Sequence, residues 1–99
     1  MRKIVLICAA GMSTSLLVEK MKVAAEKQGY EADIAAYAVA EANEVTKHAD
    51  IVLLGPQIRF QLAKIKEMAS CPVEAIDMTA YGMIDGESII NHVRKVLND

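Results

Sequence analysis

The sequence predicts an α/β fold, a four-stranded parallel sheet with helices on both faces. Strand-like and helix-like segments alternate from end to end of the 99 residues, which is the pattern of parallel sheets. Two of the strand-like segments are apolar throughout, as expected for strands that are buried on both faces. The composition, 54% hydrophobic and 24% charged, excludes intrinsic disorder and suits one buried core. We therefore expect residues 1–99 to form a single domain.

The first half of the chain supplies two strands and two helices. Residues 4–8, Ile-Val-Leu-Ile-Cys, form a continuous apolar run that predicts a buried strand. Apolar residues at helical spacing follow, and Gly29 is a typical helix end. Residues 31–37 predict a weaker strand, because an aspartate and three alanines dilute it, and residues 41–47 predict a short helix.

The second half continues the alternation. Residues 51–54, Ile-Val-Leu-Leu, predict a second fully buried strand that ends at Gly55-Pro56. An apolar stripe at helical spacing then runs from residue 58 to residue 69. Residues 73–76 predict a short alternating strand, and the last helix is expected to begin near Asp85.

The strand compositions also predict the order of the sheet. The first and third strands are apolar and should be central, whereas the second and fourth carry charges and should be edges. Right-handed crossovers then give the order 2-1-3-4, a shortened flavodoxin-like fold that resembles low-molecular-weight cysteine phosphatases. Ligands of such sheets bind where the order reverses, at the carboxyl ends of the strands. Here Cys8 ends the first strand and Gln57 follows the third, so we expect both in one crevice.

Charge and cysteine content exclude several classes of function. The chain has 11 basic and 13 acidic residues and a net charge of −2, so it has no general attraction for nucleic acid or an anionic membrane. Its longest apolar run is about half of the roughly 20 residues that a membrane span needs. Two cysteines are too few for a disulfide framework, and the reducing cytosol is the simplest compartment.

The segment after the first strand has the composition of an anion site. Small residues and a glycine allow the backbone N–H groups to turn inward, and hydroxyls add donors and can cap the following helix. The helix N-terminus favours a phosphate-sized anion and also the thiolate of Cys8. A thiolate beside an anion cradle is what phosphoryl transfer through sulfur requires. The predicted cradle consists of Ala9, Ala10, Gly11, Met12, Ser13, Thr14 and Ser15.

Three interpretations of this segment stay open on the residues alone: a phosphoryl relay, a small cysteine phosphatase, and a module that only binds an anion. The phosphatase motif places an arginine six positions after the cysteine, and Thr14 stands there. Without a guanidinium, a phosphocysteine should be hydrolysed slowly, which suits a carrier. We interpret Cys71 as structural. His48 and His92 have no donor-rich loop beside them, and no residues have metal-ligand spacing.

Three segments, residues 8–18, 49–58 and 76–86, resemble the enzyme IIB component of the phosphoenolpyruvate-dependent sugar phosphotransferase system. The resemblance is to the lactose/cellobiose/chitobiose branch and covers essentially the whole chain. It implies that Cys8 accepts a phosphoryl group from a phosphohistidine of enzyme IIA. Cys8 then passes the group to a sugar, such as a β-linked disaccharide, that is bound by the membrane enzyme IIC.

The resemblance also implies further features of the protein. It implies a cytoplasmic, monomeric carrier without a cofactor, which associates with the membrane only transiently through enzyme IIC. It places Gln57 and Tyr81 near the cysteine loop. Because a relay meets two partners, we expect an exposed docking surface with apolar groups and a polar rim. The expected members of that surface are Met12, Gln57, Ile58 and Tyr81.

Overall fold

The computed structural model describes residues 1–8 and 12–99, and for residues 12–14 it describes the backbone only. Four parallel strands form one sheet in the order 2-1-3-4, which confirms the predicted order. Each strand pairs in parallel with its neighbours. The strands are β1 (Arg2–Cys8), β2 (Ala32–Ala38), β3 (Ile51–Leu54) and β4 (Val73–Ala75).

Five α-helices and three 3₁₀ segments connect the strands in the described part of the chain. The helices are α1 (Met12–Lys27), α2 (Ala42–Val45), α3 (Leu62–Met68), α4 (Met78–Gly82) and α5 (Gly86–Val96). The 3₁₀ segments are Val39–Glu41, Thr46–His48 and Pro56–Gln61.

Two predicted helices are shorter than expected, and local backbone chemistry explains both. The predicted helix over 41–47 is split, because α2 continues at each end as 3₁₀ turns. The buried Thr46 hydroxyl donates to the carbonyl of Ala42 at 2.6 Å, in addition to the Thr46 backbone N–H, and such a second bond from a threonine side chain weakens and bends a regular helix. The predicted helix over 58–69 starts instead as the 3₁₀ segment after Gly55, which a non-helical Ile58 (φ −119°) interrupts, and the regular helix α3 begins only at Leu62.

The sheet divides the core into two layers. Alternate residues of β1 point to opposite faces, so Ile4 packs with α1 and α5, whereas Val5 packs with α2 and α3. All residues of β1 from Ile4 to Cys8 are buried, and so is the whole of β3. The prediction of two central strands buried on both faces is therefore confirmed.

The ends of the two long helices match the sequence signals. Gly29 has φ +65° and ends α1 in a Schellman arrangement, with the Tyr30 N–H donating to the carbonyl of Ala25 at 2.8 Å. The Asp85 carboxylate caps α5 by accepting the N–H of Ser88 at 3.1 Å, which confirms the predicted start of that helix.

A group of four side chains joins the two ends of the chain at the amino end of β1. Asp99 accepts two hydrogen bonds from Arg2, each 2.9 Å long, and one from the Tyr30 hydroxyl at 2.7 Å. The Arg94 guanidinium lies 5.0 Å from the centre of the Tyr30 ring. We call Arg2, Tyr30, Arg94 and Asp99 the C-terminal clasp. It lies at the opposite end of β1 from Cys8.

Among the described residues, no helix has both the length and the apolar character that crossing a bilayer would require.

Candidate functional site

Cys8 lies where the strand order reverses. It is the last residue of β1, it pairs with Ala38 of β2, and it forms no disulfide. On the other side of β1, the Gly55 N–H donates to the carbonyl of Ile7 at 2.9 Å, so the contact with the β3 side continues to the end of the strand. Only 4% of Cys8 is exposed. Its sulfur is thus fixed at the carboxyl edge of the sheet, between the two neighbouring strands.

Gly55 brings a second side chain next to the sulfur. A Cβ placed on Gly55 would lie 3.3 Å from Cys8 Sγ and 3.2 Å from Gln57 Oε1. Because both atoms are this close to one point, they border the same small space. This geometry places Gln57 near Cys8, and the role of Gln57 at the site stays a prediction.

Ile58 corrects one expectation about the docking surface. We expected an exposed side chain, but Ile58 is only 4% exposed and packs in the second core with Ile7 and Leu54. The physical reason is the 3₁₀ segment, which folds back over the end of β3 and turns Ile58 inward. Phe60 in the same segment is 77% exposed. Sequence reasoning missed it, although its position off the apolar stripe was an available signal.

The helix after the cysteine segment begins at Met12, which confirms a helix N-terminus close behind Cys8. Ser15 lies in its first turn and is exposed. Ala9, Ala10 and Gly11 lie outside the described residues, and so do the side chains of Met12, Ser13 and Thr14.

Tyr81 also lies on the side of the sheet toward which the strands run. It belongs to α4, which directly follows β4 and is capped by the Asp77 carboxylate, which accepts the N–H of Ala80 at 3.0 Å. Tyr81 is half-buried and packs against the first core. Its predicted place on a partner surface stays a prediction. Two methionines beside it, Met78 and Met83, are more exposed and were not expected there.

Cys71 differs from Cys8 in its surroundings. It is half-buried, and burial, followed by the nearby negative charge of Asp50, raises the pKa of its thiol. A raised pKa keeps the thiol protonated at neutral pH and therefore unreactive. This agrees with the interpretation of Cys71 as a structural residue.

His92 lies 3.2 Å from Glu74 and is exposed. These two residues line a cavity of about 460 Å³ between β4, α4 and α5, with Asp85 bound to Ser88 on its wall. Within residues 1–8 and 12–99, no cluster of histidine, cysteine and acidic side chains could hold a metal ion.

The chain is similar in sequence to components of the phosphotransferase system. The chain is 50% identical over 90 residues to the oligo-beta-mannoside-specific EIIB component of the phosphotransferase system of Bacillus subtilis, covering 88% of this chain and 87% of that protein. It is 39% identical over 103 residues to the galactose-specific EIIB component of Lactococcus lactis subsp. cremoris, covering 96% and 95% of the two chains.

Two solved structures have the same architecture. The lactose-specific IIB domain of Streptococcus pneumoniae superposes with a TM-score of 0.81 at 17% identity, covers 96% of each chain, and supports the fold alone. The cellobiose-specific IIB component of Borrelia burgdorferi superposes with a TM-score of 0.80 at 35% identity, and the match covers 98% of this chain and 92% of that chain. Residues 3–92 match the model of the lactose/cellobiose-specific IIB subunits of the phosphotransferase system. The chain belongs to this family of phosphotransferase components.

Proposed function

We propose that this chain is a phosphoryl carrier in sugar uptake and that Cys8 is its covalent site. The observation that carries the proposal is the position of Cys8. It is a cysteine outside any disulfide, it ends a central strand at the switch point with Gly55 and Gln57 beside its sulfur, and a helix N-terminus follows. Membership of a phosphotransferase family supports the same chemistry. We also propose that residues 1–99 act as one carrier domain.

The proposed reaction consists of two displacements at phosphorus. In the first, the Cys8 thiolate attacks a phosphohistidine of enzyme IIA; an S–P bond forms, the P–N bond breaks, and the released imidazole takes up a proton. In the second, a sugar hydroxyl oxygen attacks the phosphorus; an O–P bond forms and the P–S bond breaks. The hydroxyl proton leaves to a base of the acceptor site, and the thiolate is regenerated.

The proposed partners follow from this sequence of steps. The donor is enzyme IIA, and the acceptor is a sugar held by the membrane enzyme IIC, so the carrier would work in the cytoplasm as a monomer. The relatives' names specify oligo-beta-mannosides, galactose and cellobiose. We propose a β-linked disaccharide or short oligosaccharide as the sugar, because the relative at 50% identity is the one named for oligo-beta-mannosides.

The test is the intact mass after incubation with phosphoenolpyruvate, the general phosphotransferases and a matching enzyme IIA. We expect a gain of one phosphoryl group that is lost in Cys8→Ser and kept in Cys71→Ser. The phosphorylated protein should survive removal of the donor and lose its phosphoryl group when enzyme IIC and sugar are added. Rapid loss to water alone would indicate a phosphatase instead. No gain of mass in the parent protein would contradict the proposal.

A further inference from the structure

Gln57 is held beside the cysteine by two backbone anchors. On one side, Gly55 is bound through its N–H to the carbonyl of Ile7 at 2.9 Å. On the other side, the Ile58 N–H donates to the carbonyl of Gly55 at 3.0 Å, and the Ile58 side chain is buried. The turn around Gln57 is therefore fixed to the sheet, whereas the Gln57 side chain itself is exposed.

The carboxamide of Gln57 reaches back toward the sulfur. Its Oε1 and Cys8 Sγ lie 3.2 Å and 3.3 Å from the position of a Cβ on Gly55. A group bonded to the sulfur at this edge would meet the end of the Gln57 side chain. A carboxamide has an acceptor on one side and a two-proton donor on the other, and rotation about its last bond exchanges them.

We propose that Gln57 Nε2 donates a hydrogen bond to a non-bridging oxygen of the phosphoryl group on Cys8 and so stabilises the phosphocysteine. This inference rests on the proposed function. The phosphoryl oxygens carry negative charge, and hydrogen bonds to charged acceptors are the stronger ones. The amide is neutral, so it holds the group without the guanidinium that Cys-x₅-Arg phosphatases use to stabilise the transferring phosphoryl.

Gln57 could instead only contact a partner protein. Measuring the equilibrium constant of phosphoryl exchange distinguishes that role from a hydrogen bond to the phosphoryl group. The equilibrium constant for phosphoryl exchange with enzyme IIA depends only on the free energies of the separated proteins. A docking contact changes the forward and reverse rates equally and leaves that constant unchanged. A hydrogen bond to the phosphoryl group stabilises only the phosphorylated protein, and it therefore changes the constant.

The decisive variant is Gln57→Leu, which removes the amide and leaves an apolar side chain that is one atom shorter. The exchange equilibrium with phosphorylated enzyme IIA is measured by intact mass, and the phosphocysteine is titrated by ³¹P NMR. We expect the equilibrium constant to fall roughly tenfold. The second pKa of the phosphocysteine should rise, because the dianion loses a donor. Gln61→Leu, in the same 3₁₀ segment, is the matched control and should change neither quantity.

The remaining outcomes are also decisive. An equilibrium constant within about twofold of the parent's overturns the inference, whether or not the rates fall. If Gln57→Leu does not fold, Gln57→Ala provides the same comparison at an exposed position. If the parent protein takes up no phosphoryl group on Cys8, the proposed function fails first, and this inference falls with it.

Discussion

Gly86, the first residue of α5, packs directly against the backbone of Lys20 in α1. A Cβ on Gly86 would lie 2.6 Å from the Lys20 carbonyl oxygen and equally close to the Met21 N atom. Both neighbours are backbone atoms in the middle of a helix, so neither can turn aside as a side chain could. Only glycine allows α1 and α5 to cross at this separation over the first core.

Gly86→Ala should therefore destabilise the protein by about 1–3 kcal/mol, the usual cost of forcing an extra methyl group into a packed contact. Gly82→Ala is the control, because a Cβ on Gly82 would meet no atom within 4 Å. The free energy of unfolding from denaturant titration measures both. Equal free energies of unfolding for the two variants would contradict the prediction, because α1 and α5 would then move apart without loss of stability.

If Cys8 carries the phosphoryl group as proposed, Gly55→Ala should slow phosphoryl transfer and leave the fold intact. The new methyl group would lie 3.3 Å from Cys8 Sγ, closer than the 3.5–4.0 Å that is optimal for carbon contacts. It would crowd the sulfur atom that the phosphorus is proposed to reach. We expect the rate of phosphorylation by enzyme IIA to fall roughly tenfold or more, because small misplacements at a reacting atom are costly. The measurement is single-turnover transfer, with Gly82→Ala as the control, and an unchanged rate would place the approach elsewhere.

The two cysteines should react with iodoacetamide at different rates and with different pH dependence. At pH 7 we expect Cys8 to be labelled first, although it is the more buried residue, because the helix N-terminus behind it favours the thiolate. The labelling rate of Cys71 should rise only in alkaline solution, since burial raises the pKa of its thiol. Mass mapping of the labelled site at several pH values tests this. Preferential labelling of Cys71 at neutral pH would contradict the assignment of Cys8 as the activated cysteine. In denaturant, where the helix is lost, the labelling rates of the two cysteines should converge.

The acidic side of the stability profile should depend on Asp99. Its hydrogen bonds from Arg2, followed by the bond from Tyr30, lower the pKa of its carboxyl to about 2 from 3.8. A lowered pKa means that the carboxylate stabilises the fold above about pH 4, and that this contribution is lost as the pH falls toward 2. Asp99→Asn should therefore be less stable than the parent at neutral pH, and the difference should narrow in acid. Asp33→Asn, on exposed β2, is the control, and a difference that stays constant down to pH 2 would contradict the prediction.

The alkaline side should depend on Tyr30 in the same clasp. Burial, followed by the hydrogen bond to Asp99, raises the pKa of Tyr30 to about 12 from 10.0. A raised pKa means that the protonated hydroxyl stabilises the fold below about pH 10, and that this contribution is lost as the pH rises toward 12. Tyr30→Phe should lower stability at neutral pH and flatten the loss between pH 10 and 12. Thermal unfolding across this range, with Tyr37→Phe as the control, measures the effect. If Tyr30→Phe loses stability between pH 10 and 12 as steeply as the parent does, Tyr30 is not the cause of that loss.

The sheet could be predicted because its signals are local. The unbroken apolar runs of β1 and β3 and the charged residues of β2 and β4 are enough to give the order 2-1-3-4. The place of Cys8 follows from that order, since a switch point is a property of topology. The start of α5 could also be predicted, because aspartate is a preferred N-cap residue and Asp85 caps α5 in the structure.

Other features depend on contacts that the sequence does not display. The inward turn of Ile58 results from a 3₁₀ segment that begins at Pro56, and helical spacing alone gave a longer regular helix. Arg2 and Asp99 are 97 positions apart, and only the finished fold brings them together. The lack of a Cβ at Gly55 and Gly86 looks the same in sequence, but one glycine leaves room for a sulfur and the other for a helix backbone.

The burial of Cys8 has a kinetic consequence if it carries the phosphoryl group as proposed. Its sulfur is bonded to a strand covered on both sides, so donor and acceptor must both approach over the same edge of the sheet. The two partners would then exclude each other, and the carrier would alternate between them. The steady-state rate of sugar phosphorylation, measured at several concentrations of phosphorylated enzyme IIA and of sugar-loaded enzyme IIC, should give parallel lines in a double-reciprocal plot. An excess of unphosphorylated enzyme IIA should compete with enzyme IIC for binding to the carrier.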